Sequence, residues 1–145
     1  MIEALALAAL LQASSEQRPL PLPVPAPYEG EWVVEVIDNI KVLPESRVTM
    51  TIRGGSLTGQ SSLTGMASCN TYRGSFIVTQ DSVRVSPVLK TMKSCDPPRM
   101  SEEADFFKLL QDVSGFDIRK DSLVLTTRDG KSISARRAAG SSSQL

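Results

Sequence analysis

From Tyr28 onward, apolar and polar residues alternate with a period near two, and short polar or glycine-bearing breaks interrupt the alternation. Glu31 to Ile37 (EWVVEVI) predicts a strand that ends at Asp38-Asn39. Arg47 to Ile52 places Val48, Met50 and Ile52 on one face before Gly54-Gly55 breaks the run. Tyr72 to Val78 predicts a strand that turns at Gln80-Asp81 and returns through Val83 to Val88. Phe116 to Arg119, Leu123 to Thr127 and Ser132 to Arg136 alternate again, with Asp129-Gly130 as a tight-turn signal. Met100 to Val113 departs from this period and puts Phe106, Leu109, Leu110 and Val113 at helical spacing, with Ser101 as the expected N-cap. Glu102, Glu103 and Asp105 then fall in the first turn, where dipole matching and solvation account for them better than a catalytic carboxylate pair. The pattern predicts a mainly β (α+β) domain, a meander of strands forming a sheet or barrel with one helix packed against it.

The N-terminal segment reads differently. Ala4 to Leu11 (ALALAALL) has the length of a signal-peptide apolar region and is too short to span a bilayer. Glu3 stands where a basic start would be, and Leu11-Gln12-Ala13 only partly matches a cleavage site, so an amphipathic helix is the competing reading of residues 1–15. Pro19, Pro21, Pro23, Pro25 and Pro27 make residues 16–27 a semi-rigid, polyproline-like linker. The folded domain is expected over 28–137, with a small, polar, disordered tail over 138–145. This organisation points to a secreted, periplasmic or envelope-facing protein with no integral membrane span.

The chain has 145 residues, enough for one domain, and its 41% apolar and 22% charged residues suffice for a packed core. Sixteen basic residues balance sixteen acidic ones without a basic block, so nucleic acid is not an expected partner. The lack of histidine removes serine–histidine, cysteine–histidine and histidine–zinc chemistry. Cys69 and Cys95 are too few thiols for a closed zinc site, so no metal or other cofactor is expected. In an exported chain the two are most simply a disulfide, which across 26 residues would stabilise the fold by roughly 3–4 kcal/mol. A buried reduced pair and a redox pair remain as alternatives, the latter without a C-x-x-C spacing to support it. Lys93 and Ser94 are neighbours, and adjacent strand residues face opposite ways, which argues against a serine–lysine pair.

Ala67-Ser68-Cys69-Asn70-Thr71-Tyr72-Arg73-Gly74-Ser75-Phe76, read with Thr91-Met92-Lys93-Ser94-Cys95 and the acidic helix after it, resembles the META domain family of HslJ-like heat-shock proteins. That family carries a G-C-N-x-[YF]-x-G-x-[YF] motif and a T-x-M-x-C motif, and the resemblance extends from about Tyr28 to Arg137. Ser68 stands where the family has glycine, and Lys93-Ser94 where it has a more apolar pair. The resemblance implies a small antiparallel β-barrel-like domain with one helix, in proteins of the envelope or outside the cell, with links to heat shock and stress tolerance.

Asn70, Tyr72, Gly74, Phe76, Thr91 and Met92 are expected to be structural: Asn70 for local backbone hydrogen bonds, Gly74 for a bend or close approach, and the aromatics, with Trp32, for core area. No catalytic residues are expected. The functional expectation is a non-enzymatic, monomeric envelope module that binds a protein or cell-wall component. A small-molecule carrier and a protease inhibitor are the competing readings.

Overall fold

The computed structural model describes residues 26–55, 58–80 and 82–140. The signal-like run at 1–15, the spacer up to Pro25 and the tail beyond Gly140 lie outside them, as does Asp81 of one expected turn.

Among the described residues, ten strands and one helix follow one another in the order β1 (Gly30–Ile37), β2 (Ile40–Lys41), β3 (Thr49–Arg53), β4 (Gln60–Ala67), β5 (Asn70–Thr79), β6 (Ser82–Val85), β7 (Leu89–Lys90), α1 (Pro97–Gln111), β8 (Val113–Arg119), β9 (Ser122–Thr127) and β10 (Ser132–Arg137). The main path is β6-β5-β4-β3-β1-β10-β9-β8, antiparallel throughout, with β2 added to β1 and β7 to β5. The expected meander is therefore two meanders, β3 to β6 and β8 to β10, joined because β1 pairs with β3 on one side and β10 on the other. The end strands β6 and β8 approach each other, so the sheet nearly closes into a barrel with the single helix.

The period-two pattern does what it predicts. Trp32, Val34, Met50, Ile52, Phe76, Leu123, Leu125 and Ile133 all point inward and are buried. Helix α1 adds Phe106 and Leu110, both fully buried, so side chains fill the interior. The Asp38-Asn39 turn has positive φ at both residues, 49° and 67°, which suits the twist of a tight hairpin and the tolerance of Asp and Asn for it.

Three features differ from the sequence expectation. Strand β4 was hidden in a Gly/Ser-rich stretch, because its inward positions Ser61 and Leu63 include only one large apolar side chain. The helix begins at Pro97 rather than near Ser101: Pro97 and Pro98 fit the first turn, where their missing N–H groups would be unpaired in any case. Asp96 occupies the N-cap position but gives no side-chain cap; its carboxylate instead accepts from Arg99 at 2.6 Å, and this hydrogen bond holds its pKa below the ordinary value. Glu102, Glu103 and Asp105 consequently lie beyond the first turn, and Val113 opens β8 instead of closing the helix.

Candidate functional site

Cys69 and Asn70 sit where β4 turns into β5. The turn is tight, with the Cys69 N–H donating to the Ala67 carbonyl at 2.6 Å and Ser68 at φ +67°. Serine thus occupies a left-handed position that glycine adopts at lower cost. Its hydroxyl shares a hydrogen bond of 2.9 Å with that of Ser46. Cys69 is disulfide-bonded to Cys95, with Cα atoms 6.0 Å apart, so the oxidised pair is the arrangement realised, and it ties this turn to the residue just before Asp96 and the helix.

The Asn70 side chain is 2% exposed and joins three segments. Its Nδ2 donates to Glu103 Oε2 at 2.9 Å and to the Lys93 carbonyl at 3.1 Å. Its Oδ1 accepts from the Thr91 hydroxyl at 2.7 Å and the Lys93 N–H at 2.6 Å. From the helix, Glu103 completes the cluster: Oε1 accepts the N–H groups of Asn70 at 2.8 Å and Cys69 at 3.3 Å, while Lys90 Nζ lies 3.9 Å from Oε2. Glu103 is 1% exposed, so it is no solvated surface acid; the donors aimed at it replace the water it gives up. This corrects the solvation expected for it. A signal for this was present, because Glu103 stands at i, i+3, i+4 and i+7 with Phe106, Phe107 and Leu110, on the apolar stripe itself.

The other motif residues surround this clamp. The hydroxyl of Tyr72 donates to the Thr49 carbonyl at 2.8 Å, and its ring meets Phe106 and Phe107 edge-on at 5.7 and 5.4 Å. Burial pushes its phenol well above the ordinary tyrosine range. Gly65, opposite Tyr72 in the ladder, was not singled out by sequence, yet a Cβ there would overlap the Thr49 carbonyl oxygen that Tyr72 binds. Gly74 leaves room for Val88, whose Cγ1 would lie 3.0 Å from a Cβ. Phe76 is fully buried against Tyr28, with ring centroids 5.3 Å apart. Met92 stands apart from all of these: it is 84% exposed, although the residues on both sides of it are bound to Asn70.

Among the described residues no cluster of histidine, cysteine, aspartate and glutamate suits a metal ion, and no helix is long and apolar enough to cross a membrane. The arrangement positions a loop: Asn70 and Glu103 hold Thr91, Lys93 and the turn at Cys69 through their polar atoms.

The META domain model matches residues 26–140, which takes in the whole barrel and helix. The chain belongs to the META domain family. Two solved structures resemble this META domain. The NMR structure of a protein from Burkholderia xenovorans matches at a TM-score of 0.62 and 16% identity, covering 89% of this chain and 99% of that one. A second protein solved by NMR matches at 0.58 and 14%, covering 74% and 88%. At these identities the likeness is one of fold. No curated protein matches.

Proposed function

We propose that this META domain is a non-enzymatic binding module of the cell envelope or the extracellular space, serving stress tolerance or envelope maintenance through contact with a protein or cell-wall component. The observation that carries this reading is the clamp of Asn70, Glu103 and the disulfide, which fixes the segment from Thr91 to Cys95 at both ends while Met92, Lys93 and Ser94 between them are exposed. Pre-ordering a surface loop lowers the entropy lost when the loop docks. The interior, filled by Trp32, Met50, Leu63, Phe76 and Phe106, supports contact through the surface in preference to a ligand carried inside. A disulfide is in keeping with an oxidising compartment.

The test combines location and contact. Cell fractionation with mass measurement of the mature chain should find it processed and oxidised in the envelope or medium. Crosslinking in that fraction should then give a defined adduct. A chain with intact Met1 and two free thiols in the cytosol would overturn the location, and an envelope fraction without any adduct would overturn the binding role.

A further inference from the structure

The loop held by Asn70 has a specific chemical character. Leu89 is 66% exposed and pairs across the ladder with Arg73, so the two share the outward face of the sheet. Lys90, the next residue, turns toward the helix instead, 4.9 Å from the Phe107 ring centroid and 3.9 Å from Glu103. A shallow groove of about 370 Å³ is lined by Thr64, Thr71, Arg73, Leu89, Lys90 and Thr91, from the neighbouring strands β4, β5 and β7 and the residue after them. Met92 and Lys93 follow directly along the chain. Residues 70–95 carry Arg73, Arg84, Lys90 and Lys93 against the single acid Asp81, although the whole chain is neutral. Arg73 and Lys93 have no ion-pair partner among the described residues, and Glu103, whose carboxylate reaches this region from the helix, is already occupied.

We propose that the face bearing Arg73, Leu89, Met92 and Lys93 docks an extended acidic segment of a partner protein that also carries apolar side chains. The reasoning deepens the binding role proposed above and rests on it. Charge complementarity selects the sign of the partner, because each exposed apolar side chain has a cation beside it that forms no ion pair among the described residues: Arg73 across the ladder from Leu89, and Lys93 next to Met92 in the chain. Met92 and Leu89 supply the apolar contact, and the thioether of methionine adapts to varied surfaces. The groove beside β7 accommodates a chain in extended form. The clamp explains why a large apolar side chain is held out in water on a fixed backbone: less freedom is lost when it becomes buried.

The test uses the full oxidised chain and a short fluorescein-labelled peptide that alternates aspartate or glutamate with leucine or phenylalanine. A control peptide has every carboxylate replaced by its amide. Anisotropy should show binding of the acidic peptide that weakens with salt, and ¹⁵N chemical-shift changes should fall on Arg73, Leu89, Met92 and Lys93. The combined variant Arg73→Glu with Lys93→Glu should lower affinity about tenfold or more, and Met92→Ser about fivefold, both with unchanged unfolding midpoints. Three results would overturn the assignment: equal binding of the amide peptide, shift changes located elsewhere such as around Ile40, or preferential binding to phosphatidylglycerol vesicles lost in Met92→Ser. If the crosslinked envelope adduct forms equally well with the charge-reversed variant, the binding role stands and this face is not its site.

Discussion

Replacing Asn70 by alanine removes four side-chain hydrogen bonds at once and leaves the backbone N–H bonds to Glu103 in place. The bond to the Glu103 carboxylate is charge-assisted, a class that contributes about 1.5–3 kcal/mol, and the other three contribute about 0.5–1.5 kcal/mol each. Their simple sum spans roughly 3–7.5 kcal/mol. The bonds to Thr91 and Lys93 are only part-buried and those two residues are exposed, so water replaces some of what they lose, and the expected cost is about 3–4 kcal/mol. That is a large share of the roughly 5–15 kcal/mol typical of a domain. Denaturant titration followed by Trp32 fluorescence measures it directly, since Trp32 is the sole tryptophan and is fully buried. The midpoint should fall without a change in slope. Asn70→Asp sharpens the test, because it sets a second carboxylate against Glu103 where the amide now donates at 2.9 Å. At neutral pH this variant should be no more stable than the alanine variant, and it should recover as the pH falls and one of the two acids takes a proton. An alanine variant that loses less than about 1 kcal/mol, or an aspartate variant as stable as wild type at pH 7, would refute the clamp.

Four further outcomes are expected. Changing Cys69 and Cys95 together to alanine should cost roughly 3–4 kcal/mol yet leave a cooperative fold, because Asn70 and Glu103 still tie the same turn to the helix; a molten near-ultraviolet circular dichroism spectrum would contradict this. Gly65→Ala should destabilise by about 3 kcal/mol, since the clash is with backbone rather than a flexible side-chain end, and an unchanged unfolding midpoint would remove the close-approach argument. Ser61→Ala should be neutral or stabilise by up to about 1 kcal/mol, because its buried hydroxyl has no partner among the described residues; a loss on denaturant titration would count against that. The raised Tyr72 pKa makes the folded state prefer the protonated phenol, so this contribution is intact below about pH 10 and is lost as the pH climbs above it, by at most about 1.4 kcal/mol per pH unit. Tyr72→Phe should flatten that alkaline loss in pH-dependent unfolding, and an unchanged alkaline profile would show that Tyr72 is not its source.

Alternation of apolar residues was sufficient to locate most of the strands, because side chains in a strand face the core every second residue whatever lies across the sheet. The cysteine–asparagine motif, the T-x-M-x-C segment and the family they indicate were legible for the same local reason: they are short and contiguous. Strand β4 was not, since its burial depends on neighbours in β3 and β5 more than on its own hydrophobicity. The early helix start was missed because Ser101, just ahead of the apolar spacing, offered a cap, whereas the first turn that Pro97 and Pro98 open carries no apolar periodicity of its own. The purpose of the motif emerged only in three dimensions. Asn70, Thr91, Lys93 and Glu103 are spread over 34 residues of sequence, and only the pairing of β5 with β7 and the docking of α1 bring their polar atoms within hydrogen-bond reach. The sequence by itself determined the inward face of most strands and the family of the domain. Tertiary structure decided that one acid of the helix is buried and that Met92 is displayed, because burial and exposure are properties of what packs against a residue and not of the residue alone.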